Sequence, residues 1–269
     1  MANIVIASQM DMQGSTISCG PLNSSSRPGD LLHREPNHAL VLIDPAQLFV
    51  TVQLTQPKPI RMIAGLYAGL SMNGYWRVRA ASAAADLLAA PEYDTGMQPF
   101  AAQEEGFPHR LLQRHDWIWS PSPLTYRYWR FDFSDASLPL GRLILGKIIL
   151  AHGFQPQFNY SYDAVEPYLF DPSRTPRAAA GQRDPLNKQP YDRSGFSLDY
   201  LNRTEAKRDQ RKLSEFVGVT RPVFVAFDPD EQEYRQGMST YGLLTELQPI
   251  SLPIYKRFRT RYEIEELIP

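Results

Sequence analysis

The stretch Tyr126-Arg-Tyr-Trp-Arg-Phe-Asp-Phe133 alternates with a period of two, and Arg142-Leu-Ile-Leu-Gly-Lys-Ile-Ile-Leu150 soon after it is apolar almost throughout. Strand side chains point up and down in turn, so Trp129, Phe131 and Phe133 share one face while Tyr128, Arg130 and Asp132 share the other. The second run suits a strand covered on both faces. Ser134 to Pro139 is turn-rich, and the two runs therefore read as a β-hairpin in the middle of a sandwich-like core. Aromatic richness agrees, with 14 Tyr and 13 Phe. Such residues favour pleated, half-buried surfaces.

Further strands follow from the same pattern. Residues 4–7 and Leu40 to Ile43 are short apolar runs. Leu48, Val50, Val52 and Leu54 point inward, with Phe49, Thr51 and Gln53 outward. Residues 60–81 read as a hairpin turned at Ser71-Met-Asn-Gly74, with Trp76 and Val78 inward and Arg77 and Arg79 outward. Gly65 and Gly69 read as close-packed or bulged strand positions. Residues 11–30 read as loop, 83–92 as a helical turn or two, and 93–125 as weakly patterned apart from Trp117-Ile-Trp119. Thr204 is placed to cap a helix to Val217, with Gly218 after it. Pro222 to Pro229 and Tyr241 to Leu247 read as strands. In residues 254–264, Ile254, Phe258, Tyr262 and Ile264 fall on one face, and Tyr255, Arg257, Arg259 and Arg261 on the other.

Residues 171–190 are almost free of apolar side chains. Disorder, an interdomain linker, or an arm lying on a neighbour are the choices for so long a polar segment. The resulting division is an N-terminal arm or loop over 1–36, a β-sandwich core over 37–160, an extended loop or arm over 161–195, and a C-terminal α+β part over 196–269.

A net charge of −1 gives no bulk field toward DNA or anionic membranes, so neither nucleic acid nor membrane insertion is expected. No run approaches the roughly 18 apolar residues of a membrane span. The lone Cys19 forms no internal disulfide and reads as a small buried or half-buried apolar residue. Together with an unconvincing signal peptide, this points to a soluble protein made in a cytoplasm.

Catalytic and cofactor signals are weak. His33 and His38 are the only closely spaced histidines, in a proline-flanked loop; His109, His115 and His152 stand apart, and no metal site or cofactor is expected. No Gly-x-Ser-x-Gly elbow or phosphate-binding glycine loop appears. A glycosidase would need two facing carboxylates. Glu104, Glu105, Asp116, Asp132, Asp135, Asp163 and Glu166 are available, with Asp132 expected to pair with Arg130, and no catalytic residue is assigned. Sugar binding is a stronger option: Trp117 and Trp119 would face one way on a strand, with Tyr126 nearby, as stacking rings or as core. Arg257, Arg259 and Arg261 with Tyr255 form either an interface or a solvated outer face.

The segments Tyr128-Trp-Arg-Phe-Asp-Phe-Ser-Asp135 and Leu140-Gly-Arg-Leu-Ile-Leu-Gly146 resemble minor structural proteins of tailed bacteriophages. Met72-Asn-Gly-Tyr-Trp-Arg-Val-Arg79, Arg221 to Pro229, Gly242-Leu243 and Tyr262-Glu-Ile-Glu265 extend the resemblance from about residue 37 to the end. It departs at the proline-rich segment 171–190. The resemblance implies a jelly-roll, galactose-binding-like β-sandwich with a smaller C-terminal β-rich part carrying one helix. It further implies a virion protein of the tail tip or baseplate, in contact with copies of itself and with tube and hub proteins. The alternative is a carbohydrate-binding module for host-surface glycan.

Overall fold

The computed structural model describes residues 3–100, 114–174, 186–231, 234, 235 and 237–269. The chain divides into two compact units, one of residues 1–155 with 224–239 and the other of residues 156–223 with 240–268. These boundaries differ from the expected ones because residues 224–239 return to the first unit. Both units are mainly β and antiparallel, and the second, smaller unit carries a helix, in keeping with the expected jelly-roll type.

The first unit holds β1 (Val5–Ala7), β2 (Thr16–Cys19), β3 (Leu40–Leu42), β4 (Phe49–Ala68), β5 (Tyr75–Ala81), helix α1 (Asp86–Ala89), β6 (Tyr93–Asp94), β7 (Gln98–Pro99), β8 (Arg114–Ser134) and β9 (Leu143–Ala151). They pair in the order β3-β9-β4-β8-β5-β6, with β2 beside β4 and β7 beside β5. The expected hairpins are therefore corrected. Strand β4 lies between β8 and β9, and β8 lies between β4 and β5. Each expected turn is instead a crossover connection. The two crossovers are tied together where the Ser71 N–H and hydroxyl donate to Asp135 at 2.6 and 2.8 Å. Periodicity reports which face a residue occupies; it carries no information on which strand lies alongside.

The stretch expected to be weakly patterned ends in a strand, since Trp117 to Trp119 and Tyr126 to Phe133 belong to the one long β8. The expected loop over 11–30 likewise contains β2. The inward faces follow the sequence reading: Val50, Val52, Leu54, Trp76, Val78, Trp129 and Phe131 are fully buried in one cluster with Leu143, Leu145, Ile148 and Leu150. Trp76 lies stacked with Phe131, ring centroids 6.4 Å apart, and edge-on to Phe100 at 5.3 Å. Gly65 is needed where the chain passes these rings, because a Cβ there would sit 3.2 Å from Phe100 and 3.6 Å from Trp76. Lys147, buried in the same unit, donates to the carbonyls of Asp30 (3.0 Å) and His38 (3.4 Å), and burial pushes its ammonium down to about 8.

The first unit also contains β12 (Val223–Ala226) from Phe224 on, which pairs with β1. The second unit contains β10 (Val165–Phe170), β11 (Tyr191–Leu201), α2 (Arg211–Val217) preceded by a π-helical turn at Glu205–Gln210, β13 (Ser239–Leu244), β14 (Ser251–Ile254) and β15 (Arg257–Glu266). Its strands run β13-β15-β11-β10, with β14 folded back on β15. The loop expected over 161–195 thus contains β10 and the start of β11, which pair antiparallel. The ribbon continues to Arg174 and Leu186, whose backbones exchange hydrogen bonds of 3.1 and 2.7 Å. Residues 175–185 of the expected arm lie outside the described residues. The helical segment is capped by Asn202 rather than Thr204: Asn202 Oδ1 accepts from Glu205 N–H at 3.0 Å, and Glu205 returns to Asn202 N–H at 2.7 Å.

Candidate functional site

Of the three rings read as a stacking surface or as core, the structure puts Trp117 in the core. Trp117 is fully buried, its ring 5.7 Å from Phe224 and under the Arg235 guanidinium at 5.1 Å. Trp119 is half-buried beneath Arg61, 4.3 Å from the ring centre. Tyr126 packs edge-on to Trp129 at 6.1 Å. Trp117 is therefore core, and the other two rings are covered on at least one side by neighbours.

The outward face of β2, β4 and β8 makes the better site. Register places Thr16 beside Gln53 and Gln53 beside Tyr128; in the next row Ser18 lies beside Thr51 and Thr51 beside Arg130. Alternate residues point the same way, so these six line one surface. Ala84, Leu87 and Leu88 of the α1 region wall it on one side, enclosing a groove of about 280 Å³. Leu88 is 61 % exposed. Thr16, Ser18, Thr51 and Gln53 spend no side-chain hydrogen bond elsewhere among the described residues, so four polar side chains stay open to a ligand.

The groove's one cation, Arg130, is partnered from below. Arg130 Nε donates to Asp132 Oδ1 at 2.8 Å, as expected from the sequence, and Arg79 donates to Asp132 Oδ2 through Nε (3.1 Å) and Nη2 (2.6 Å). The Arg130 guanidinium also lies 3.9 Å over Phe49. Farther along β5, Arg77 pairs with Asp94, whose carboxyl is held down at about 2 chiefly by that hydrogen bond. The groove thus offers hydroxyls, an amide, a phenol and apolar walls, with its one cation already partnered.

The expected arginine stripe lies on β15 in the second unit. Arg257, Arg259 and Arg261 do share the outward face, opposite buried Thr260, Tyr262 and Ile264. Their charges are engaged within the unit: Arg259 bonds Asp199 at 2.7 Å, Arg261 reaches Glu263 at 2.8 Å, and Arg257 lies over Phe158 at 5.3 Å. Tyr255 is not part of the strand row. It sits with Lys256 in the β14–β15 turn, Lys256 at φ +60°, and is 80 % exposed; Ile254, expected to share a face with Tyr262 and Ile264, is 56 % exposed on β14. The sequence pattern ran straight through this turn because Tyr255 and Lys256, which make it, are not turn-type residues, and Pro253 falls within β14 before it.

The remaining candidates have structural partners. Asp116 is held by Arg235, Asp135 by Ser71, and Glu166 accepts from the Tyr160 hydroxyl at 3.2 Å. His115 is buried against Tyr67, and His152 N–H donates to Asp11 at 2.8 Å. Cys19 is half-buried against the core, and burial pushes its thiol up. Glu104, Glu105 and His109 lie outside the described residues. No helix among the described residues is long and apolar enough to cross a membrane.

No family model and no curated protein matches the chain. Among solved structures, the family 32 carbohydrate-binding module of NanJ from Clostridium perfringens, in complex with galactose, aligns with a TM-score of 0.40 at 10 % identity, over 54 % of this chain and 98 % of its own. The module CpGH89CBM32-6 of Clostridium perfringens aligns at 0.37 and 13 %, over 53 % and 97 %. The lectin domain of Lectinolysin, complexed with Lewis B antigen, aligns at 0.36 and 10 %, over 52 % and 93 %. At these scores neither ligand nor residue role passes to this chain. The resemblance to phage tail proteins has no counterpart among these three.

Proposed function

We propose that this chain is a non-enzymatic carbohydrate-binding protein and that the groove on β2, β4 and β8 takes a short, neutral glycan. The observation that carries this is the pairing of four uncommitted polar side chains with the Tyr128 ring and the Leu87–Leu88 wall in a groove whose one cation, Arg130, is already hydrogen-bonded. A sugar offers the complement: hydroxyls to exchange hydrogen bonds along its edge, and C–H groups to lie on apolar and aromatic surface. The groove is at the small end of the roughly 300–1,000 Å³ usual for small-molecule sites, which suits one or two rings.

The test is a glycan array on the full chain, followed by titration of the best ligand against Tyr128→Ala and Gln53→Ala. A neutral glycan is expected to bind, and each variant to lose at least about tenfold in affinity while keeping its circular dichroism spectrum. Binding untouched by both substitutions, or an array without a hit, sinks the proposal.

A second reading, a tail-tip or baseplate subunit of a virion, is favoured by a different observation. Leu252, Ile254 and Tyr255 expose 57, 56 and 80 % of their surfaces on the β14–β15 hairpin. Exposed apolar side chains grouped on one hairpin suit contact with copies of this chain or with tube and hub proteins. Sedimentation separates the readings: concentration-dependent assembly abolished by Tyr255→Asp supports the subunit, and a monomer at all concentrations supports the glycan binder.

A further inference from the structure

We infer that His33, Glu35 and His38 form a binding site for a zinc-class divalent metal ion on the loop between the short 3₁₀ turn at Pro28–Leu32 and β3. The potential ligand atoms of the three side chains all lie within 4.8 Å of one another. The two imidazole rings lie 3.8 Å apart, centre to centre, and His38 Nε2 is 3.9 Å from Glu35 Oε2. Donors on a tetrahedral zinc with bonds of about 2.0–2.2 Å stand about 3.3–3.5 Å apart. The gap closes by side-chain rotation, since His33 and His38 are exposed and Glu35 is half-exposed.

The backbone already bends the loop into this shape. His33 N–H donates to Asp30 O at 3.1 Å, closing the 3₁₀ turn, and His38 N–H donates to Glu35 O at 3.3 Å. Lys147 bridges the carbonyls of Asp30 and His38 from within the core, fixing both ends of the loop. The loop therefore presents its side chains outward with little ordering left to do, which lowers the cost of capturing an ion. The competing contacts are weak. Glu35 N–H reaches His33 Nδ1 at 3.3 Å, and Arg34 Nε lies 3.4 Å from Oε1 of Glu35, while Oε2 is the oxygen 3.9 Å from His38 Nε2.

The donor set selects the metal. Two imidazoles and one carboxylate suit zinc, copper or nickel, whereas calcium and magnesium take oxygen shells. Three protein ligands leave a coordination position toward solvent, open to water or to a donor from another molecule. This inference is independent of the glycan groove, which none of the three residues lines.

The test titrates Zn²⁺ into the metal-stripped full chain by calorimetry and reads Co²⁺ substitution by its visible absorption. One zinc per chain is expected, with an intense tetrahedral cobalt spectrum. His33→Ala and His38→Ala should each weaken zinc at least tenfold, and Glu35→Gln should weaken it less while shifting the cobalt bands. All three positions are surface-exposed, so circular dichroism should be unchanged. Absence of binding at 100-micromolar zinc, on the order of the weakest useful affinity, overturns the inference. So does binding that survives both histidine substitutions.

Discussion

The two halves of the β4–β8 ribbon have the same backbone and opposite uses. From Ile60 to Ala68, nearly every residue of β4 is buried, and His115, Asp116 and Trp117 opposite are buried too. From Phe49 to Leu54 and from Tyr128 to Phe133, burial alternates strictly, so one face of each strand is open. The covered half contains Gly65 against Phe100 and the Trp117 ring against Phe224, where shape is the constraint. The open half carries Gln53, Tyr128, Thr51 and Arg130, where chemistry is available. A strand buried on both faces can contribute only packing; a strand with one wet face can pack and recognise at once.

Truncation should expose that difference most sharply. Trp117→Ala removes a fully buried ring and is expected to cost about 3–5 kcal/mol of stability. Tyr128→Ala, on the same strand but facing the groove, is expected to cost under about 1 kcal/mol while abolishing most glycan affinity. Urea unfolding of both variants, with the titration described above, checks this. Equal destabilisation would mean that the open half is as structural as the covered half.

The next test acts at the border between the two uses. Asp132 holds Arg79, which is 8 % exposed, and Arg130 in the groove. Asp132→Ala leaves Arg79 largely buried without its carboxylate and should cost about 2–3 kcal/mol, less than a fully buried pair because both groups retain some solvent. It also releases the Arg130 charge, so preference should move toward anionic sugars. A stability loss without a change in glycan preference would separate the network from the groove.

The sequence disclosed faces far better than neighbours. The inward positions of Trp129, Phe131, Val50 and Val52 follow from period two alone, and Thr51, Gln53, Tyr128 and Arg130 were assigned outward by the same rule. That these four meet in one groove depends on β4 lying against β8, which sequence periodicity does not encode. Thr16 and Ser18 were hidden because β2 is four residues long in a Gly- and Ser-rich stretch, too short to show a period. The aromatic pair at Trp117 and Trp119 misled for a physical reason: large rings fill cores as readily as they line binding sites. His33 and His38 were visible as a pair, but their convergence on Glu35 depends on the turn through Pro36 and on the Lys147 anchor beneath it.

The smallest effect lies at the edge of the open half, where Arg77 on β5 binds Asp94 on β6. The folded chain holds the Asp94 carboxyl at about 2, below its ordinary value near 3.9, mainly through the Arg77 hydrogen bond. A carboxylate with a depressed folded pKa stabilises the fold above the unfolded pKa and loses that contribution as pH falls through the folded one. The pair therefore helps fully above about pH 4, and its help fades between about pH 4 and pH 2. Both side chains are partly exposed, at 36 and 28 %, so the contribution is under about 1 kcal/mol after solvent screening. Urea unfolding of wild type and Asp94→Asn should give curves separated by that amount at pH 5 and merged near pH 2. Curves that coincide at every pH would show that Asp94 acts through its turn hydrogen bond to Gly96, 2.9 Å long, which an asparagine oxygen also accepts, rather than through its charge.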